Sequence, residues 1–217
     1  MRIIKLDAID STNTFLKEIS SAEALEDYTV VTAKVQTKGK GRMGNAWNSK
    51  SSKNLTFSVF KYLNGVTFDN QFYLSIVVAL AITRTLKAYN IPKLFVKWPN
   101  DILSADKKVG GILIENVIKK NSLAYSIIGI GLNVNQIEFE QLPRASSLKK
   151  ISGQTYDLDE ILQQVLIHLN HYFTLLDAGN TEVLRAAYES QLFRKNKPST
   201  FENAKGELFS RIYSRHF

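Results

Sequence analysis

Residues 93–134 read KLFVKWPNDILSADKKVGGILIENVIKKNSLAYSIIGIGLNV. Three apolar runs rich in branched residues follow one another here: KLFVKWPNDIL, KKVGGILIENVI and LAYSIIGIGLNV. Only SADKK stands between the first and second, and KKNS between the second and third; both are turn chemistry rather than helix. Connections this short join antiparallel neighbours, because a parallel pair needs a crossover about a dozen residues long. The run reads as consecutive hairpin strands and argues against regular βαβ winding.

The flanks supply helices. Residues 3–6 form a short apolar opening, and DSTNTFLKEISSAEAL from Asp10 reads as a capped helix. Its cap types are Asp10, Ser11 and Thr12, with Phe15, Leu16 and Ile19 at helical spacing. DYTVVTAKVQ and NLTFSVFKYL read as strands around a long polar loop over residues 37–53. Residues 70–89 carry Phe72, Tyr73, Ile76, Val77, Leu80, Ala81 and Leu86 at helical period, which predicts a long core helix. LDEILQQVLIHLNHYFTLL and TEVLRAAYESQLF predict two more helices, and KNKPSTFENAKGELFSRIYSRHF a polar turn with a strand or two. The expected class is α+β: a mixed, largely antiparallel sheet packed with helices.

The 217 residues suit one sizeable domain, and 44% hydrophobic with 22% charged is ordinary globular composition. With no cysteine, disulfides, thiolate metal sites and a Cys nucleophile are all excluded. No signal peptide is visible, and the longest apolar run, residues 75–82, is too short to span a bilayer, so a cytoplasmic protein is expected. The net charge of +8 suits nucleic acid, an anionic membrane surface, a phosphate-bearing substrate or an acidic partner, and does not choose among them.

GKGRMG, residues 39–44, has the Gly-x-Gly-x-x-Gly pattern of a dinucleotide turn. The fingerprint also needs a helix starting at the glycines and a carboxylate about 20 residues on. NAWNSKSSKN and NLTFSVFK provide neither, and the Walker and kinase signatures are absent too. Either this is a plain glycine-rich surface loop or it meets a ligand. Glycines that let a backbone approach, cations at Lys40 and Arg42, and an aromatic face at Trp47 suit an anionic ligand with a flat ring. Lys97, Trp98, Pro99, Asn100 and Asp101 follow an apolar strand, either presenting polar groups or simply forming a turn with Trp98 in the core. Gly110 with Gly111, and Gly129 with Gly131, mark sheet bulges or the close approach of a ligand, with Asn133 near enough to bond one. His168, His171 and His216 have no metal-ligand spacing.

DSTN, then GKGRMGNAW with Gln36 three residues ahead, then KWPNDIL, KVGGILIE and GIGLNVN stand in one order and spacing. In that combination the chain resembles the biotin protein ligases over roughly residues 6–135. The resemblance implies a catalytic domain like those of class II aminoacyl-tRNA synthetases and biotin–lipoate ligases. It implies ATP and biotin as substrates, Mg²⁺, formation of biotinyl-5′-AMP, and transfer of biotin to a lysine of a biotin carboxyl carrier domain. Catalytic roles fall to Arg42, Lys97 and Lys40. Biotin falls to Ser11, Thr12, Asn13, Gln36, Gly39, Gly41, Lys97, Gly110 and Gly111. The adenylate falls to Arg42, Met43, Gly44, Trp47, Asn100, Asp101 and Asn133; metal ligands are not assigned.

The resemblance divides the chain into a catalytic domain, residues 1–190, and a short remnant of an SH3-like domain, residues 191–217. It leaves homodimerisation open. No membrane partner is expected; nor is DNA or repressor activity, because the winged helix-turn-helix of some members is not seen. The competing readings are a lipoate- or octanoyl-ligase relative, a basic nucleic-acid-binding module and an inactive paralogue.

Overall fold

The computed structural model describes residues 1–140, 142–203 and 206–212. Its main sheet has seven strands: β1 (Ile3–Ile9), β2 (Val30–Gln36), β3 (Leu55–Tyr62), β4 (Leu94–Lys97), β5 (Asp101–Ser104), β6 (Lys107–Lys119) and β7 (Ser122–Leu132). Their spatial order is β1-β2-β3-β7-β6-β5-β4. The opening stretch folds as a four-strand β4-β5-β6-β7 meander rather than three strands: KLFVKWPNDIL breaks at Trp98-Pro99-Asn100 into β4 and β5, and each neighbour is antiparallel. β1 and β2 are the parallel pair, and helix α1 (Thr12–Ala22) is the crossover between them. The α+β, largely antiparallel class is what the structure shows.

The two faces of the sheet differ because side chains alternate along each strand. Phe57 and Val59 of β3 and Ile128 and Ile130 of β7 point to one face. There they join α2 (Phe72–Ala88) and α4 (Leu158–Asp177) in the main core. α4 supplies Ile161, Leu162, Val165, Leu169 and Phe173 at helical spacing, and Asp157 caps it by accepting from the Glu160 amide at 2.9 Å. α5 (Thr181–Glu189) packs beside α2 through Tyr188 against Phe72. On the other face Phe60, Tyr125, Ile127 and Val31 meet Leu16 of α1 in a smaller cluster. Further along that face β3 and β7 offer only Thr56, Ser58, Gly129 and Gly131, so the strands' own side chains leave a space above the sheet, into which Asn13 and Trp47 reach.

Element boundaries differ from the sequence expectations in ways that have local causes. Ser11, rather than Asp10, is the α1 cap; its hydroxyl accepts from the Thr14 amide. A short helix, α3 (Leu148–Ser152), was not expected; Ser147 caps it and Gly153, at φ +77°, ends it. After α5 the chain runs beside β4, with Val96 donating to Gln191 O at 2.8 Å and Phe193 donating to Val96 O at 2.9 Å. Glu189 fastens this segment by accepting from Lys195 at 2.5 Å and Arg185 at 3.0 Å. A separate hairpin of β8 (Pro198–Glu202) and β9 (Leu208–Ile212) follows. His216 and the chain's last five residues, where the expected remnant stops, lie outside the described residues. His168 is half-buried between α2 and α4, its Nδ1 2.9 Å from Thr85 Oγ1, whereas His171 is exposed.

Candidate active site

The open face of the sheet carries a cavity of about 430 Å³, roofed by the loop that follows β2. Its inner end is polar and buried. Thr12 donates its backbone N–H to Gln36 Oε1 at 2.8 Å, and its hydroxyl lies 3.0 Å from the same oxygen. Ser58 Oγ lies 2.8 Å from Thr12 Oγ1 and donates to Asn13 Oδ1 at 2.6 Å. Ser11, Thr12 and Asn13 are all buried, so this cluster presents fixed donors and acceptors rather than mobile surface groups. Gln36 Oε1 is occupied by Thr12, and its Nε2 has no partner among the described residues. Asp10 pins the end of β2 here, accepting from Thr37 Oγ1 at 2.8 Å and Lys38 Nζ at 3.0 Å. The Lys38 hydrogen bond, then that of Thr37, holds the Asp10 carboxyl below the usual carboxylate range.

The loop over the cavity is a small folded-back turn. Gly41 N donates to Asn45 O at 2.7 Å and Trp47 N to Gly39 O at 2.9 Å. Its tip, Met43, has φ +53° and is 96% exposed. Trp47 turns inward onto the floor: a Cβ on Gly131 would lie 2.4 Å from its Cε2 and one on Gly111 3.3 Å from its Cζ3. Only glycine at 131 lets the indole lie this close to the sheet. Trp47 Nε1 is buried without a hydrogen-bond partner among the described residues.

The outer end is cationic. Lys40, Arg42 and Lys108 line the cavity, with Trp98, Pro99, Asn100 and Asp101 forming its side wall. Lys108 Nζ lies 2.7 Å from Asp101 Oδ1 and 6.0 Å from the centre of the Trp47 ring. Among the described residues no carboxylate lies within ion-pair distance of Lys40 or Arg42. Asn100 donates to Ile112 O at 3.1 Å, and Trp98 is 48% exposed rather than in the core. A second cavity of about 270 Å³ shares Arg42, Trp98, Pro99, Asn100 and Ile112 with the first.

The structure thus gathers Ser11, Thr12, Asn13, Gln36, Lys40, Gly41, Arg42, Met43, Trp47, Asn100, Asp101 and Gly111 around one space. It does not bring in five others. Gly110 faces the helix-covered side, where a Cβ would lie 2.6 Å from Leu132 Cδ2. Asn133 is buried and spends its amide on Ser146 O at 3.0 Å. Lys97 is exposed at the end of β4, and Gly39 and Gly44 sit in the loop without lining the cavity. Lys108 and Thr56 line it and were not singled out from sequence; Gly129 and Gly131, marked only as close-approach glycines, line it too. The signal for Lys108 was its place at the head of the KVGGILIE motif, beside the turn that holds Asp101.

A magnesium ion held largely by substrate phosphates needs one or two protein carboxylates. Asp101 alone lines the cavity among the described residues, and Lys108 engages it; no group of three or more metal-type ligands occurs among them either. A magnesium ion here would be held chiefly by the substrate phosphates, with Asp101 as the one cavity-lining carboxylate among the described residues.

The family model for the biotin/lipoate A/B protein ligase family matches residues 6–133. The chain is 31% identical over 185 residues to a bifunctional ligase/repressor BirA of Bacillus spizizenii, covering 79% of this chain and 56% of that protein. It is 28% identical over 197 residues to a biotin--[acetyl-CoA-carboxylase] ligase of Paracoccus denitrificans, covering 87% of this chain and 80% of that one. In structure it is similar to a biotin protein ligase from Aquifex aeolicus in complex with biotin and ATP. That match has a TM-score of 0.82 and 31% identity, and covers 97% of this chain and 86% of the other. The chain spans about half the length of the bifunctional relatives it matches. Residues 6–133 make up more than half of its length, and the chain belongs to the biotin/lipoate A/B protein ligase family.

Proposed function

We propose that this chain is a biotin protein ligase: it joins biotin to ATP as biotinyl-5′-AMP and passes the biotinyl group to a lysine of a biotin carboxyl carrier domain. The observation that carries this reading is one cavity with a buried hydroxyl–amide cluster at one end and, at the other, Lys108 paired with Asp101 beside Lys40 and Arg42, which have no carboxylate partner among the described residues. A cyclic urea needs donors for its oxygen and acceptors for its N–H groups, which Gln36, Thr12, Asn13 and Ser11 offer. A lipoyl or octanoyl chain would ask for an apolar tunnel instead. The structure solved with biotin and ATP in the Aquifex aeolicus relative supports both ligands.

In the first step a carboxylate oxygen of biotin attacks the α-phosphorus of ATP, and the bond to the departing pyrophosphate breaks. Two anions must meet, so fixed positive charge is the main requirement. Lys40, Arg42 and Lys108 stand where that charge is needed, and the Asp101 contact aims Lys108. Adenine stacks on Trp47, already laid flat against the glycine floor. In the second step the carrier lysine, as free amine, attacks the acyl carbon; AMP leaves and the amine proton passes to solvent. Asn100 holds the side wall through Ile112 O, and Met43 at the loop tip closes over the adenylate. We place the activity in the cytoplasm, where ATP is abundant, with the β8–β9 hairpin as the SH3-like remnant, and a homodimer would add at the free edge of β1.

Exchange of labelled pyrophosphate into ATP tests the first step. It should depend on biotin; exchange driven by lipoate or octanoate instead would reject the assignment.

A further inference from the structure

Asn13 is 2% exposed at the inner end of the cavity, and each of its polar atoms is engaged. Its Nδ2 donates to Glu115 Oε2 at 2.8 Å and to Leu113 O at 3.3 Å, while Oδ1 accepts from Ser58 Oγ at 2.6 Å. A carboxylate oxygen and a backbone carbonyl both accept, so Glu115, by the shorter bond, and Leu113 O, by the longer, turn the amide nitrogen toward β6. The nitrogen faces β6, and the oxygen lies over Gly129, where a Cβ would stand 2.4 Å from it. Asn13 and Gly129 both line the cavity, so the atom presented at its floor is an acceptor. Lys17 Nζ, 3.8 Å from Glu115 Oε1, gives the carboxylate a partly exposed counter-charge from α1.

We propose that Glu115, the last residue of the KVGGILIE motif, is a positioning residue for ligand specificity: it holds Asn13 with its oxygen toward the ligand and so selects for an N–H at that point. The inference rests on the biotin reading above, in which that N–H belongs to the ureido ring. Without Glu115 the amide keeps only the longer bond to Leu113 O and the contact with the Ser58 hydroxyl, which can accept as well as donate, so a turned amide that sets its NH₂ against a ligand N–H is far less disfavoured. A site built to bond a particular N–H rejects an analogue that lacks it far more strongly than an apolar pocket rejects a missing methylene.

Calorimetry on the intact protein with biotin, and with the two carbamate analogues in which one ureido N–H is a ring oxygen, tests this. The unaltered protein should bind one carbamate about 10⁴-fold more weakly than biotin. Glu115→Leu removes the acceptor and Glu115→Asp withdraws it by one methylene. Both should weaken biotin about tenfold and shrink the discrimination against that carbamate by the same factor. Glu115→Gln keeps an acceptor oxygen at full reach and should restore both. If the leucine variant fails to fold, the contrast between aspartate and glutamine carries the test. Unchanged biotin affinity in the aspartate variant would overturn the proposal, as would parallel weakening of biotin and carbamates with their ratio preserved. If the unaltered protein does not bind biotin, the functional reading falls and this proposal with it.

Discussion

Replacing Lys108 by alanine and, separately, Lys97 by alanine distinguishes two lysines that the sequence makes look alike. Lys108 lines the cavity with its ammonium 2.7 Å from Asp101, whereas Lys97 is exposed and lines neither cavity. The side chains of Lys108 and Asp101 are 37% and 22% exposed, so solvent screens their pairing. A pair of this kind is worth at most about 1 kcal/mol. The Trp47 ring, at 6.0 Å from Lys108 Nζ, stands at the outer limit of cation–π attraction and adds little. For a chain of this size that is a fall in melting temperature of about 2–4 °C. Loss of a fixed cation where charge develops costs far more in rate, about 10²–10³-fold or roughly 3–4 kcal/mol. Biotin-dependent pyrophosphate exchange should therefore fall about 10²–10³-fold in Lys108→Ala while the protein stays folded. Lys97→Ala should keep a rate close to that of the unaltered protein. Equal damage from the two variants, or a Lys108→Ala loss that tracks unfolding, would refute the reasoning.

Gly129→Ala places a methyl 2.4 Å from Asn13 Oδ1 and forces that side chain off Ser58 and Glu115. Biotin affinity measured by calorimetry should fall at least about tenfold, with ATP affinity much less affected. The Glu189 carboxyl is held below the usual carboxylate range first by the Lys195 hydrogen bond and then by that of Arg185. A carboxyl depressed in the folded state contributes stability present above its unfolded value and lost as pH falls through its folded one. Hydrogen exchange at residues 191–197 should accordingly speed up as pH drops below the ordinary glutamate range, after correction for intrinsic rates, and Glu189→Gln should flatten that dependence.

The hairpin meander was legible because SADKK and KKNS leave the chain no alternative to antiparallel pairing. The position of β7 between β3 and β6 was not, since strand order depends on which faces match in space rather than on chain order. The polar inner end was legible only through the family resemblance that DSTN and Gln36 help to carry; from the residues alone Ser11 and Thr12 read as helix caps. Which member of a glycine pair faces the ligand required the register. Gly111 pairs with Gly131 on the open face, while Gly110 pairs with Leu132 and points to the core. The irregularity between Ile102 and Leu103 shifts the register of β5 against β6 and accompanies the entry of Lys108 into the cavity, where simple alternation gave no guide. Part of the positive charge that invited a nucleic-acid reading is paired at the surface, as in Lys5–Asp159 and Lys34–Asp7. At the cavity mouth Lys108 is paired with Asp101, whereas Lys40 and Arg42 have no carboxylate partner among the described residues.

The central claim is that this cavity makes an activated biotin and gives it to a protein lysine. Intact-mass measurement of a biotin carboxyl carrier domain, incubated with the protein, biotin and Mg-ATP, tests it most directly. The account predicts a gain of a single biotinyl group at the carrier's acceptor lysine, dependent on both small molecules and abolished when that lysine is replaced by arginine. An unmodified carrier beside a folded, biotin-binding protein would contradict it.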